Sequence, residues 1–419
     1  MKSLSHSIRT LAVVTGLAIG AASLLSMPAL AADKPDPALK IGAKVGKPLN
    51  AALEAVKAKN FDEAAIKLKE AEAVEKKTPY EEFKIRETAA FLYISQQKYA
   101  EVAAIYEKQL ETPQWLQPEL AATLEKSVAQ LYYNAKSYDK TIEFSQRWLK
   151  KNPDDTEMLA LVSQTYYVNK DFPHCRDSAN SAVSAAEKAG QAPKELWMQL
   201  AQTCAVQLDD QATINTSYEK LIRYYPKADY WERLISRVIR GEKSDRIMFH
   251  VFRVMADVGT LKTADQYVEY AQLALDNALP GEAVRVIEKG YEQKILGVDA
   301  KDKASHDRLL AKAKQTAQTD KASLPALEKE AQSPNSTAGM EAGLGLAYFN
   351  YEQYDKAIPA LDGGLKKGGL KNSEDYKIAL GISQLKSGKK DEARETFKSV
   401  PADSPLAKVA GLWALRSYN

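Results

Sequence analysis

A short pattern that keeps returning along the chain constrains the fold more than any other feature. Ser137-Tyr138-Asp139-Lys140-Thr141-Ile142 and Gln353-Tyr354-Asp355-Lys356-Ala357-Ile358 share an aromatic, an Asp suited to N-capping, then a small residue and an aliphatic on the next turn. Asn60-Phe61-Asp62-Glu63-Ala64-Ala65 repeats it, as do Lys98-Tyr99-Ala100-Glu101-Val102 and, more loosely, Lys390-Asp391-Glu392-Ala393. Weaker versions at Phe172, Asp210, Ser244, Pro280 and Asp320 bring the anchors to ten. Nine steps from position 61 to position 390 average about 37 residues, the length of one two-helix unit. No such unit buries its apolar face alone, so neighbours must stack into one continuous array.

Upstream of each anchor lies a second helical pattern, an apolar residue followed by a small one: Val128-Ala129, Leu200-Ala201, Tyr270-Ala271, Leu344-Gly345 and Leu380-Gly381. The small residue lets the two helices of a unit approach. A bulky side chain three positions later, such as Tyr93, Tyr132, Tyr166 or Tyr348, fills the space beside them. These residues resemble the tetratricopeptide-repeat family over almost the whole chain beyond its leader, most closely at 125–153, 341–365 and 377–400. The resemblance implies an all-α, right-handed superhelical solenoid of about ten helix-turn-helix repeats. Repeats one to seven are placed in 46–296 and repeats eight to ten in 297–404. The final helix, in 405–419 with Leu406, Val409, Leu412, Trp413 and Leu415, is expected to cap the open end of the stack. Thr141, Thr213 and Ile247 stand where the second helix wants a small residue, which loosens the register mid-chain. The polar stretch after Leu296 and the turn Ser333-Pro334-Asn335-Ser336-Thr337 place a hinge near 296–337.

Lys2 and Arg9 precede 23 uncharged residues, Thr10 to Ala32, which is the layout of an export signal. Pro28 breaks the apolar helix, and Ala29-Leu30-Ala31 supplies the small residues that signal peptidase accepts, so residues 1–31 read as a signal peptide cleaved after Ala31. An uncleaved anchor is the alternative; the segment's Ala, Gly and Ser content argues against it. No Cys follows the apolar region, which excludes lipid attachment there. The expected location is the periplasm, with no stable membrane insertion once the signal is removed. Losing Lys2 and Arg9 takes the formal charge from +3 to +1 (56 basic against 55 acidic residues), so nucleic acid is not an expected partner.

Groups that trade protons, attack or bind metal are sparse. His174, His250 and His306 lie far apart, there is no His-Glu-x-x-His and no phosphate-binding glycine loop, and Gly363-Gly364 and Gly368-Gly369 fall where glycines end helices or permit close packing. No catalytic residue, metal or cofactor is assigned. Cys175 falls near the start of the second helix of repeat four and Cys204 late in the first helix of repeat five. Those helices run antiparallel side by side, so a disulfide across the repeat junction is one reading. Two buried thiols that never meet is the other, and a thiol enzyme is disfavoured because there is no Cys-x-x-Cys.

The position after the small residue of each first helix points into the concave groove. Read along repeats three to seven it gives Gln130, Gln164, Gln202, Ser236 and Gln272, a row of neutral hydrogen-bonding groups. Tyr133, Tyr167 and, in repeat nine, Phe349 add ring platforms one turn on, with Asn134 and Asn350 beside them. Amides beside rings suit an extended, Pro-rich peptide, because an amide both donates to and accepts from a backbone while rings pack on Pro. Tyr224, Tyr225, Tyr230 and Trp231 cluster at a repeat junction, where they either pack successive repeats or form a surface hot spot.

Leu221-Ile222-Arg223-Tyr224-Tyr225-Pro226-Lys227-Ala228-Asp229-Tyr230-Trp231, Gly259-Thr260-Leu261-Lys262-Thr263-Ala264-Asp265 and Leu279-Pro280-Gly281-Glu282-Ala283 are similar to exported tetratricopeptide proteins of proteobacteria associated with TonB-ExbB-ExbD energy transduction. That resemblance implies a non-catalytic accessory of the machinery, touching TonB or an outer-membrane transporter. A general envelope-assembly or cell-wall organising adaptor is the alternative.

Overall fold

A computed structural model describes residues 39–116 and 118–419. The signal peptide assigned to 1–31 lies outside the described residues. Among them there are twenty α-helices and no strand. The chain divides into two compact units, one ending at Phe144 and the other running from Ser145 to Asn419.

The first unit holds α1 (Ala43–Lys57), α2 (Phe61–Glu72), α3 (Pro79–Ser95), α4 (Tyr99–Gln109), α5 (Pro118–Asn134) and the opening turns of α6 (Tyr138–Lys151). Val45, Leu49, Leu68, Ile85 and Leu92 build a core around Ala52 and Ala64, whose short side chains let α1 and α2 close on each other. Thr78 and Glu81 form a capping box at the start of α3, and the Gly42 N–H at the start of α1 donates to Glu81 Oε1 at 2.8 Å. The backbone bonds that Glu81 accepts from Thr78 and Gly42 hold its carboxyl below the usual range, against the opposing effect of burial.

The second unit continues with α7 (Thr156–Val168), α8 (Phe172–Lys188), α9 (Glu195–Gln207), α10 (Gln211–Tyr224), α11 (Ala228–Val238), α12 (Asp245–Asp257), α13 (Ala264–Asp276) and α14 (Pro280–Glu292). After these come α15 (Ala300–Ala331), α16 (Ala338–Asn350), α17 (Tyr354–Lys367), α18 (Ser373–Lys386), α19 (Lys390–Lys398) and α20 (Ala407–Arg416). Its core is a single cluster from Leu159 to Leu415 that passes through Ala313 and Ala331, so the residues assigned to repeats eight to ten share it with 145–296.

The hairpin turns show why the anchors were readable. Lys59, Gln97, Lys136, Lys170, Asp209, Ala278, Glu352 and Gly388 all take positive φ, each two residues before a second helix begins. The next N–H reaches back five positions in every case, as in Asn60 to Ala55, Asp171 to Tyr166 and Gln353 to Tyr348. This Schellman closure satisfies the first helix's last carbonyls, and an Asn or Asp then caps the second helix at Asn60, Asp171 and Asp210. The small-residue position works as the sequence implied: a Cβ on Gly345 would stand 2.8 Å from the Leu361 backbone nitrogen. Tyrosines one turn later tie three of the first helices to the helix before the repeat. Tyr132 donates to Glu107 at 2.5 Å, Gln146 donates to Tyr166 at 2.8 Å, and Tyr348 donates to Glu328 at 2.6 Å. The fold is an all-α, tetratricopeptide-type solenoid.

Two anchors behave differently. At Ser244 the joint is longer, running over 239–244 with Gly241 at positive φ. At Asp320 there is no joint: α15 is one helix of 32 residues, and repeat eight is not a hairpin. No residue between 300 and 331 takes the left-handed conformation, and the run is glycine-free and rich in Ala, Lys and Leu, so nothing stops the helix. Pro325 removes a backbone donor without ending it. Asp320 instead accepts from the Tyr351 hydroxyl at 2.6 Å and from Asn350 Nδ2 at 3.2 Å. The turn read at Ser333 to Thr337 is present, and Thr337 caps α16.

Cys175 and Cys204 are joined by a disulfide between α8 and α9, with Cα atoms 6.2 Å apart and both side chains fully buried. Closing this loop, a separation of 29 residues, adds about 3.6 kcal/mol by the chain-entropy argument. The aromatic cluster at 224–231 packs successive repeats: Tyr225 donates to the Pro193 carbonyl at 3.0 Å, Tyr224 donates to Glu187 at 3.1 Å, and Trp231 is buried.

The C-terminal helix buries Val409, Leu412, Trp413 and Leu415, with Leu406 just ahead of it. It covers α19, but it also reaches α10, α11 and α12, far earlier in the chain. Arg416 Nε donates to Asp257 at 2.7 Å, Asn419 Nδ2 donates to the Ile222 carbonyl at 3.2 Å, and the Tyr418 ring lies between the guanidinium groups of Arg223 and Arg394. The helix therefore fastens the last repeats to the middle of the same unit, where the sequence implied only an end cap.

Candidate functional site

The expected groove row is placed as follows. Gln130 and Tyr133 on α5 are half-buried and Asn134 is exposed, within the first unit. Gln164 and Tyr167 on α7 are half-buried, and Ser236 on α11 and Gln272 on α13 are exposed, within the second. No other described residue hydrogen-bonds the side-chain amides of Gln130, Gln164 or Gln272. Tyr133 sits edge-on to Tyr138, and Tyr167 sits tilted against Phe172, each with ring centroids 6.1 Å apart. The same ring pair recurs as Phe349 and Tyr354.

Three positions depart from the row. Gln202 is buried and its Nε2 donates to the Tyr218 hydroxyl at 2.9 Å, so it faces the second helix of its own repeat. Counted back from the left-handed turn residue, Gln202 matches Ala129, Ser163 and Ala271, and Thr203 matches Gln130, Gln164 and Gln272. The repeat is read one residue out if Ala201 is taken as its small residue. Phe349 and Asn350 are buried rather than groove-lining, because α15 replaces a hairpin and α16 packs directly on α14. The Glu282 N–H donates to Asn350 Oδ1 at 2.9 Å, and a Cβ on Gly281 would stand 2.6 Å from the Asn350 carbonyl oxygen.

A polar spine that the sequence did not single out runs through the second unit. Arg253 and Glu282 are both buried and form a two-point pair, Nε to Oε1 and Nη2 to Oε2, each 2.7 Å. Tyr270 donates to Glu282 Oε1 at 2.6 Å. Arg253 Nη1 lies 3.2 Å from His250 Nδ1, and His250 Nε2 lies 2.8 Å from Asp375 Oδ1 on α18. Arg246 completes the chain, with Nη2 donating to Asp375 Oδ2 at 2.7 Å and contacting Glu374. His250 thus accepts at Nδ1 and donates at Nε2, the pattern of a neutral imidazole. A legible signal existed: His250 and Arg253 interrupt the apolar run Met248 to Met255.

Burial first, and Arg253 second, hold His250 below its ordinary value of 6.5, against the pull of Asp375. Glu282 is held below 4.5 although burial opposes this, because Arg253 and Tyr270 bond its charged form; Asp375 is likewise held below 3.8 by His250 and Arg246 against burial. All three bind protons less readily folded than unfolded, so stability is full above the unfolded values and lost as pH falls. For His250 the loss begins near 6.5, and below 4.5 the carboxylates deepen it. Denaturant titrations at pH 7.5 and pH 5 are expected to show lower stability at the acid end. The difference shrinks in His250→Gln, which keeps a donor to Asp375; an equal difference in that variant would place the titration elsewhere.

Beside this spine lies a cleft of about 430 Å³, walled by α12, α13, α14, α16, α18, α20 and the start of α17. Among the described residues no three His, Cys, Asp or Glu side chains gather as metal ligands, and no helix is long and apolar enough to cross a membrane. His174 is exposed and paired with Asp171, while His306 is buried and accepts from the Gly297 N–H.

No family profile matches the chain, and no curated protein does. Solved structures similar to it include Naa15/Naa10 bound to HypK-THB, at 15% identity, covering 85% of this chain and 58% of that one, with a TM-score of 0.38. A tetratricopeptide repeat protein from Parabacteroides merdae is similar at 14% identity over 82% of this chain and 100% of that one, TM-score 0.28. The TPR2AB domain of yeast Sti1, in a complex with pHSP90, is similar at 14% identity over 71% and 98%, TM-score 0.24.

Proposed function

We propose that the chain is a non-catalytic scaffold, exported to the periplasm, that holds an extended peptide segment of a partner protein against the first helices of its repeats as an accessory of TonB-type energy transduction. The uncommitted amides of Gln130, Gln164 and Gln272, two of them beside the half-buried rings of Tyr133 and Tyr167, carry the reading. Each amide is free to donate to and accept from a backbone, and each ring pair supplies a flat apolar surface for Pro or an aliphatic side chain. The only two cysteines close a disulfide with no exposed sulfur, which leaves no thiol to attack a substrate.

Capture from crosslinked cells tests this. The wild type is expected to recover TonB-system proteins, and recovery falls in Gln130→Ala/Tyr133→Ala and in Gln164→Ala/Tyr167→Ala while helicity is unchanged. Undiminished recovery in both variants would remove the row from the reading. Recovery of assembly proteins alone would remove the TonB assignment and leave an envelope-assembly adaptor.

A further inference from the structure

We propose that the cleft closed off by the C-terminal repeats of the second unit is a binding site for a small organic anion with an apolar, ring-sized body. This stands independently of the glutamine row, none of whose residues lines the cleft. Its volume of about 430 Å³ falls within the range of about 300–1,000 Å³ typical of small-molecule sites.

The lining carries two kinds of chemistry. Leu261, Val286, Ile382, Phe349 and Trp413 offer apolar and ring surface, all of it buried and therefore fixed in place. Four cationic side chains, Arg253, Arg285, Lys289 and Lys386, face three anionic ones, Asp257, Glu282 and Glu352. Arg253 and Glu282 satisfy each other, and Arg285 is held by Glu352 at 3.3 Å and by the Asn350 carbonyl at 2.5 Å. Asp257 receives both Lys386 and Arg416, so at that corner one carboxylate is shared by two cations, and Arg416 turns its Nη1 to the Asn419 main-chain oxygen at 3.0 Å. Lys289 pairs with Glu292, which is not part of the lining; both side chains are more than half exposed, so the pair is weak and the ammonium is free to turn inward. A single negative charge met by Lys289 and Lys386 completes the balance, and the apolar surface receives the rest of the molecule.

The probe is 8-anilinonaphthalene-1-sulfonate, an aromatic monoanion, titrated into the full chain by fluorescence beside N-phenyl-1-naphthylamine, a closely similar ring body without the charge. Expected are one saturable site per chain and an affinity for the sulfonate about tenfold above that for the neutral compound. Ala256 lines the cleft and is itself exposed, so Ala256→Trp is expected to abolish binding by filling the space with helicity unchanged. Lys289→Gln/Lys386→Gln is expected to erase the preference for the anion while leaving the neutral compound's affinity as it was. Several sites per chain, equal affinity for the two compounds, or full binding by Ala256→Trp would each overturn the proposal. If Ala256→Trp fails to fold, the lysine pair decides alone, because a retained preference for the anion in that variant removes the charge argument.

Discussion

Replacing Arg253 by Met is expected to cost about 3–5 kcal/mol of unfolding free energy, measured by denaturant titration. The side chain is 4% exposed, and its removal strands the Glu282 carboxylate, itself 5% exposed, with only the Tyr270 hydroxyl bonded to it directly. It also removes a cation from the face of Phe249 at 4.1 Å and of Phe349 at 5.0 Å. The loss belongs to the unpaired charge rather than to the pair. Arg253→Met combined with Glu282→Leu is therefore expected to recover most of the stability of the first change, since an apolar pair of similar size avoids the desolvation of both ions. If the double variant is as unstable as the single one, the spine acts through shape or backbone contacts such as Glu282 N–H to Asn350, and the electrostatic account fails.

Trp413→Ala is expected to cost about 3–5 kcal/mol, whereas Trp413→Phe costs about 1 kcal/mol or less. The indole is 1% exposed and stacks on Phe397 with centroids 6.0 Å apart, so truncation to Ala opens a cavity where α19 meets α20. Its Nε1 is buried and has no hydrogen-bond partner, so Phe gives up ring area but no bond. The truncation has a second consequence because α20 also fastens the last repeats to α12. With its packing gone, the Arg416 and Lys386 bonds to Asp257 are left as partly exposed ion pairs, which hold weakly by themselves. Hydrogen exchange should then rise at α18, α19 and α20 before it rises at α8 and α9, which the disulfide binds together. A large loss in Trp413→Phe would show that the indole N–H has a partner after all.

The repeat was legible wherever its signal was local. Phe61, Tyr99, Tyr138, Phe172, Pro280, Tyr354 and Lys390 all begin second helices, because the turn, the cap and the small residue three positions into the helix act within a few residues of one another. Gln202 was misplaced by one position because Ala201 looked like the small residue; only the left-handed Asp209 sets the count. Asp320 looked like a cap, but a capping residue needs a turn before it, and nothing in 315–319 makes one. Cys175 and Cys204 were placed on adjoining helices by the period itself, and there the disulfide lies.

Gln130 and Tyr133 on α5 and Gln164 and Tyr167 on α7 keep partly exposed side chains, as the period implies, but Phe349 and Asn350 are buried. Their burial follows from α16 packing on α14, a contact that exists because a single long helix stands where a hairpin would have kept the two apart. The spine from Arg246 to Asp375 joins residues up to 129 positions apart in sequence, and the cleft beside it draws on residues from Arg253 to Trp413. By itself, then, the sequence determined the repeating unit, most of its turns, its all-α class and the pairing of helices within a hairpin, since these rest on backbone closure and side-chain size over one period. Only the tertiary structure decided which polar residues are buried and paired, and that the C-terminal helix closes on the middle of its own unit. Those outcomes depend on the path of the chain summed over several repeats, and one uninterrupted helix is enough to redirect it.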